Sequence, residues 1–380
     1  MKHPLGDFST EEFLRVYWQK KPLLIRQAMA DFTPELDGDD IAGLACDELA
    51  ESRLVIGSYP DHDWALRYGP FREQDFASLP DENWTLLVQD VEKHYPPLES
   101  LLNRFSFLPC WRMDDLMVSV AARGGSVGPH VDQYDVFLLQ AAGRRKWQTA
   151  STFDPALLPD CELNVLKSFE PEQEWVLEPG DMLYLPPGVA HHGVALDLGM
   201  TWSIGMRAPS SADLLQALGE WLANRQDEGE RYRDGELSPA PVAGEIDSAA
   251  VSGFRRLLEK ATGDASGFPA FIGSFLSRYR LAHEPAPAEQ QLEASTLLQV
   301  LTEGAQLHHN PWTRLLWLQT ESGALLFAAG DEFSCTADLA RRMCSKPVRL
   351  TRAPEALHEE LEIACALLNR GHLYLQFPQE

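Results

Sequence analysis

The sequence predicts a mixed α+β protein: a β-sandwich or barrel followed by a helical segment and a small α/β module. Three observations predict it. Between Leu116 and Arg207, short apolar runs are broken at close intervals by Gly and Pro turns, the texture of a many-stranded antiparallel sandwich or barrel. After Pro209 the apolar period lengthens to that of a helix. Past the linker Glu284-Pro285-Ala286-Pro287-Ala288-Glu289, short apolar runs and helical stretches mix again. At 380 residues the chain is several times longer than one small core requires. The expected domains are therefore 1–208 (barrel), 209–284 (helical) and 290–380 (small α/β).

In order along the chain, a helical stretch carrying Phe13, Leu14 and Trp18 runs to Pro22, where Leu23-Leu24-Ile25 begins a strand. The barrel strands are expected at Leu116–Val120, Val136–Gln140, Lys146–Thr149, Trp175–Leu177, Met182–Leu185, Gly193–Leu196 and Thr201–Met206. Ser210 three residues before Asp213 reads as a capping box, and Leu214, Leu215, Leu218, Trp221 and Leu222 share one face of the helix that follows. Two further amphipathic helices carry Phe254, Leu257, Leu258 and Ala261, then Phe271, Phe275, Leu276 and Tyr279. Such a bundle with an exposed apolar stripe suits a homodimer. Asp227 to Glu245 is polar, rich in Gly and Pro, and reads as a loop. The last segment offers apolar runs at 297–301, 315–320 and 325–328, helices near 337–344 and 355–368, and a strand at 373–377.

Composition narrows the function. With 32 Lys and Arg against 57 Asp and Glu, the net charge is −25, which repels phosphate backbones and anionic lipid but would attract a basic protein. Direct nucleic-acid binding is not expected, and no Arg/Lys-rich recognition helix is read in 290–380. The six cysteines form no CxxC pair, so neither a disulfide framework nor a zinc knuckle is indicated. No run approaches the roughly 18 apolar residues of a membrane span, and a cytoplasmic location is expected.

The sharp feature is Gly128-Pro129-His130-Val131-Asp132, followed 61 residues after His130 by His191 at the end of Pro186-Pro187-Gly188-Val189-Ala190-His191. Strand side chains alternate, so His130 and Asp132 point to one face and can grip one ion. His191 would complete the set from another strand. Two imidazoles and a carboxylate on one face leave open positions, the arrangement of non-haem Fe(II) oxygenases, whereas a structural zinc site would be closed by a fourth ligand. The spacing alone is weak. His358 and Glu360 repeat it in a helical stretch, where a separation of two splays the side chains, and that pair is read as a decoy. His192 should face away from His191, and His308-His309 reads as a surface pair in a loop.

These residues also carry a family resemblance. Tyr17-Trp18-Gln19-Lys20-Lys21-Pro22-Leu23, Pro129-His130-Val131-Asp132-Gln133-Tyr134-Asp135-Val136-Phe137, Gly143-Arg144-Arg145-Lys146-Trp147 and the turn from Pro186 to His191 resemble the JmjC oxygenases, and among them the ribosomal oxygenases. The resemblance implies a double-stranded β-helix (jelly-roll, cupin-like) barrel with iron at His130, Asp132 and His191, 2-oxoglutarate as cosubstrate and O2 as oxidant. It assigns the distal carboxylate of 2-oxoglutarate to a basic residue about fifteen positions after the first metal histidine, here Arg145, whose planar fork suits a carboxylate. Arg144 and Lys146 should point the opposite way. Ala121 and Ala122 occupy the strand end where related chains offer the cosubstrate a hydroxyl, which leaves Ser119 and Ser203 as candidates for the second contact. By the same resemblance the helices dimerise and a winged-helix-like module follows. The implied reaction is hydroxylation of a basic ribosomal protein, with an arginine of large-subunit ribosomal protein sixteen as the target. Tyr134, Asp135, Asp114, Asp115 and Arg123 lie near the mouth in sequence. Acidic walls would favour arginine, and an amide would favour histidine. Histidine hydroxylation, methyl-lysine demethylation and a non-catalytic cupin-like scaffold remain alternatives.

Overall fold

The structure is a computed structural model that describes residues 3–30, 32–60, 64–225, 230–233, 246–262, 267–350 and 354–377. The chain forms two compact units, Met1–Ala208 and Pro209–Glu380. Most of the expected loop at 227–245 lies outside the described residues.

The first unit contains twelve described strands: β1 Leu23–Ile25, β2 Ser52–Ile56, β3 Ala65–Tyr68, β4 Trp84–Val88, β5 Met113–Ala121, β6 His130–Val131, β7 Asp135–Ala142, β8 Arg145–Ala150, β9 Gln173–Leu177, β10 Met182–Leu185, β11 Ala190–Ala195 and β12 Gly199–Met206. They pair antiparallel into an eight-stranded sheet, β1-β10-β7-β12-β5-β4-β2-β3, and a four-stranded sheet, β6-β11-β8-β9. Every expected barrel strand is present, but β2, β3 and β4 were not expected. Trp84–Val88 is buried along almost its whole length and so lacks the alternation that marks a half-buried strand.

The large sheet has two unlike faces. Phe137, Leu139, Leu116, Val118, Val120, Trp202, Ile204, Met182 and Tyr184 turn to the main core, where Phe13, Ile41, Leu98 and Phe105 from the surrounding helices cover them. At roughly 1.5–3 kcal/mol for each large side chain fully buried, this face supplies most of the first unit's stabilisation. On the inner face Val136, Leu138, Leu183 and Leu185 pack with Trp147 and Leu177 of the small sheet. Ser119, Thr201 and Gln140 lie on this same face, and the small sheet opposite carries His130, His191 and Arg145.

Asp135 is structural. Fully buried, it accepts hydrogen bonds from Tyr184 Oη at 2.5 Å, Arg112 Nη2 at 2.7 Å and Gln19 Nε2 at 3.1 Å. The Glu178 to Asp181 turn is equally structural, because Asp181 ties Arg26 and the Gln27 backbone to the sheet.

In the second unit, Ser210 and Asp213 make the expected capping box for helix Ser211–Asn224, and helices Ser248–Thr262 and Phe268–Arg278 follow. Gly273 of the last presses on Phe327, where a Cβ would fall 2.1 Å from the ring. Helix Ala294–Thr302, the strand pair Gln306–His309 with Leu373–Gln376, the three-stranded sheet 315–335 and helices Ala337–Met343 and Pro354–Asn369 complete it around Leu297, Leu326, Leu339 and Leu367. His308 and His309, expected in a surface loop, are half-buried on a strand. His309 Nε2 lies 2.7 Å from Met343 O, and His308 stacks on Tyr374. Glu360 of the decoy pair is buried in an ion pair with Arg342. Among the described residues no helix is long and apolar enough to cross a membrane.

Candidate active site

His130 on β6 and His191 on β11 are direct cross-strand partners, with ring centroids 4.2 Å apart. Asp132, two residues past His130, brings Oδ2 to 3.8 Å from His130 Nε2 and 3.6 Å from His191 Nε2. One ligand atom from each of the three lies within 4.8 Å of the others, and no other such group occurs among the described residues.

The hydrogen bonds fit a metal. His130 Nδ1 is 2.9 Å from Gly128 O, and His191 Nδ1 is 3.0 Å from Val189 O. A carbonyl can only accept, so the proton sits on Nδ1 in both rings and each Nε2 presents a lone pair to the shared centre. Burial first, and the adjacent His130 second, pull the His191 imidazole down to about 4. It is therefore neutral and ligand-ready at physiological pH. Two glycines shape the approach. Gly128 (φ +78°) lies under Val165, where a Cβ would come within 2.7 Å, and Gly188 (φ +81°) makes the left-handed turn after the two prolines.

Arg145 occupies the same inner face, reached along β8 through Trp147. It is buried, and burial pulls its guanidinium down to about 10 with no carboxylate beside it. A buried cation without a counter-ion is costly. Among the described residues, the side-chain hydrogen-bond partners of Arg145 are hydroxyls: Nη1 donates to Ser119 Oγ and Thr201 Oγ1, both at 3.1 Å. Its Nε has no hydrogen-bond partner among the described residues. The cradle therefore suits a carboxylate ligand, with the three candidate metal ligands farther along the same barrel. Trp147 stands between them, its ring 5.9 Å from that of His191 and 5.3 Å from the Arg145 guanidinium carbon. Gly193, opposite Trp147 on β11, makes room for the indole.

The residues flanking Arg145 face away from the site: Arg144 pairs with Asp197, and Lys146 lies 3.8 Å from Glu174. His192 faces away from His191, as expected, and is buried edge-on to Tyr59 and Phe169. Ser119 stands beside Arg145. Ser203, two residues along β12 from Thr201, pairs across the sheet with Met117 and Leu138 and makes no side-chain hydrogen bond among the described residues. The second hydroxyl on Arg145 belongs instead to Thr201, which sequence reasoning missed, as it missed Gln140 behind it. The alternation of Thr201, Ser203 and Gly205 with apolar Trp202, Ile204 and Met206 marks the inner face, but only the register with β5 and β7 selects Thr201.

The opposite end of the inner face is acidic. Asp115 lies four residues before Ser119 on β5, against Gly205. Burial, then Asp114 and Asp90, push its carboxyl up to about 7, and burial pushes Glu92 up to about 8. Tyr134 is raised by burial and by Asp132, and Arg207 lies over its ring at 4.1 Å while pairing with Asp114. Arg123 is exposed and paired with Glu82. The barrel thus carries Arg145 at one end and the carboxyl of Asp115, raised towards its neutral form, at the other, with His130, Asp132 and His191 as the candidate ligand set.

Comparison with known proteins decides the family. Residues 100–214 match the JmjC domain, and residues 264–374 match the ROXA-like winged helix. The chain is 32% identical to the ribosomal protein uL16 3-hydroxylase of Escherichia coli K12, over 96% of this chain and 97% of that protein. The chain belongs to the JmjC ribosomal oxygenase family. A probable ribosomal oxygenase of Haemophilus influenzae is 41% identical over 57% of this chain and 54% of its own. The crystal structure of the E. coli protein YcfD superposes with a TM-score of 0.85 at 31% identity, covering 99% of this chain and all of that one. YcfD in complex with cobalt and 2-oxoglutarate gives 0.81, with 98% and 99% covered. As a ribosomal oxygenase, this chain has the jelly-roll barrel and winged-helix module expected from its sequence.

Proposed function

We propose that this ribosomal oxygenase is an Fe(II)- and 2-oxoglutarate-dependent hydroxylase of an arginine side chain in ribosomal protein uL16. His130, Asp132 and His191 hold the iron, and Arg145 with Ser119 and Thr201 grips the distal carboxylate of 2-oxoglutarate. The observation that carries this reading is the unneutralised guanidinium of Arg145 on the same inner face as three converging metal ligands. When bound, iron and cosubstrate supply the oxidising chemistry: O2 is consumed, 2-oxoglutarate leaves as succinate and CO2, and one substrate C–H becomes C–OH. The chain's own residues orient the cosubstrate, exclude water and place the C–H.

Asp115 at this end can accept from a cationic side chain, and such a cation would hold its carboxyl ionised, which supports arginine over histidine. E. coli uL16 3-hydroxylase carries that substrate in its name, and a net charge of −25 suits a basic ribosomal protein. Work on a ribosomal protein supports a cytoplasmic location. Purified Fe(II)-loaded protein is expected to form succinate with uL16 fragments and to add the mass of one oxygen atom to an arginine. Asp115→Asn is expected to raise the fragment KM by about tenfold, the loss of one charge-assisted contact. Succinate formation without a mass gain would remove uL16 as the substrate.

Residues 209–284 are proposed as the dimerisation segment and 290–380 as a winged-helix-like protein-contact module. Helices Ser211–Asn224 and Ser248–Thr262 bury none of their residues, and Leu215 and Leu258 are 71% and 66% exposed. Such stripes need a partner, and a second copy offers the matching one. Sedimentation is expected to show a dimer that Leu215→Glu combined with Leu258→Glu dissociates.

A further inference from the structure

We propose that Gln140 is a positioning residue for the cosubstrate, fixing through Thr201 which edge of the Arg145 guanidinium is free to bind. The inference rests on the reading of Arg145 as the anchor for 2-oxoglutarate. Gln140 is 1% exposed on the inner face of β7, paired across the sheet with Thr201. Its Nε2 lies 2.8 Å from Ala142 O and 3.3 Å from Gly143 O, the carbonyls of the turn that leads into β8. Those oxygens can only accept, so the amide nitrogen faces the turn and Oε1 faces Thr201. Oε1 can only accept as well. The Thr201 hydroxyl proton is therefore committed to Gln140 at 3.0 Å, and its lone pairs turn to Arg145.

Ser119 is set in the same sense, its hydroxyl donating to Thr201 O at 3.3 Å and accepting from Arg145. The wiring runs one way, from turn carbonyls to amide to hydroxyl to guanidinium. Both protons of Arg145 Nη1 are thereby taken. Nε and Nη2, the parallel donors of the side-on edge, have no hydrogen-bond partner among the described residues. That edge matches a carboxylate bidentately. Without the amide, the Thr201 proton is free to turn towards Arg145, and the guanidinium loses the acceptor that holds it.

Gln140→Met and Gln140→Glu test this in full-length protein loaded with Co(II). Titration calorimetry would compare 2-oxoglutarate with 2-oxopentanoate, the same chain ending in a methyl group. Gln140→Met is expected to weaken 2-oxoglutarate by about tenfold. Gln140→Glu should weaken it by about a hundredfold, because the introduced carboxylate neutralises Arg145 from within. The affinity for 2-oxopentanoate should stay within about twofold, since the chelating end is untouched. Equal losses for both ligands, or none for either, would overturn the positioning role while leaving the cosubstrate reading intact. A wild type that does not prefer 2-oxoglutarate over 2-oxopentanoate would overturn both.

Discussion

Arg145→Met is expected to raise the KM for 2-oxoglutarate by about a hundredfold while leaving the apo protein at least as stable as the wild type. The two effects share one cause. Arg145 is buried, its charge depressed by desolvation and answered only by the hydroxyls of Ser119 and Thr201. An uncompensated buried charge opposes folding, and a methionine of similar length removes it. The cosubstrate loses a pair of charge-assisted hydrogen bonds, about 1.5–3 kcal/mol each before compensation, and about 1.4 kcal/mol corresponds to tenfold. Steady-state kinetics and thermal denaturation of the apo protein check the pair. A variant that loses both affinity and several degrees of melting temperature would mean that Arg145 serves the fold rather than the ligand.

Asp132→Ala is expected to abolish turnover, by at least about a thousandfold, and to abolish metal-dependent stabilisation. Asp132 is the only carboxylate in the ligand set, with Oδ2 facing both imidazoles. Removing it leaves two neutral nitrogens that bind a hard divalent ion weakly. Metal that binds only the folded state adds about 2.7 kcal/mol at a hundredfold excess over Kd. Wild-type protein should therefore melt higher with Co(II), and the variant should not shift. An undiminished shift in Asp132→Ala would place the ion elsewhere.

The cluster of His130, Asp132 and His191 was legible in the sequence because half of it is local: a separation of two brings His130 and Asp132 to one place. The barrel strands from β5 to β12 were legible for the same reason, through alternation and turn residues. Strand β4 was not, because burial on both faces erases the period. Thr201 and Gln140 escaped because their role depends on the register among β5, β12 and β7, which no single segment encodes. Asp135, in the most motif-like stretch of the chain, holds Tyr184 and Arg112 and stays out of the reaction.

Strand β6 is only two residues long, yet its register decides which side chain faces His191. Sliding it by one position against β11 could keep the backbone pairing while presenting Val131 in place of His130. So short a strand cannot hold its own register. Two backbone bonds clamp it from outside: Leu166 N to Pro129 O at 2.7 Å on one side and Gly188 N to Asp132 O at 2.8 Å on the other. The candidate iron site thus hangs on a choice between odd and even positions, kept by two backbone amides that lie outside it.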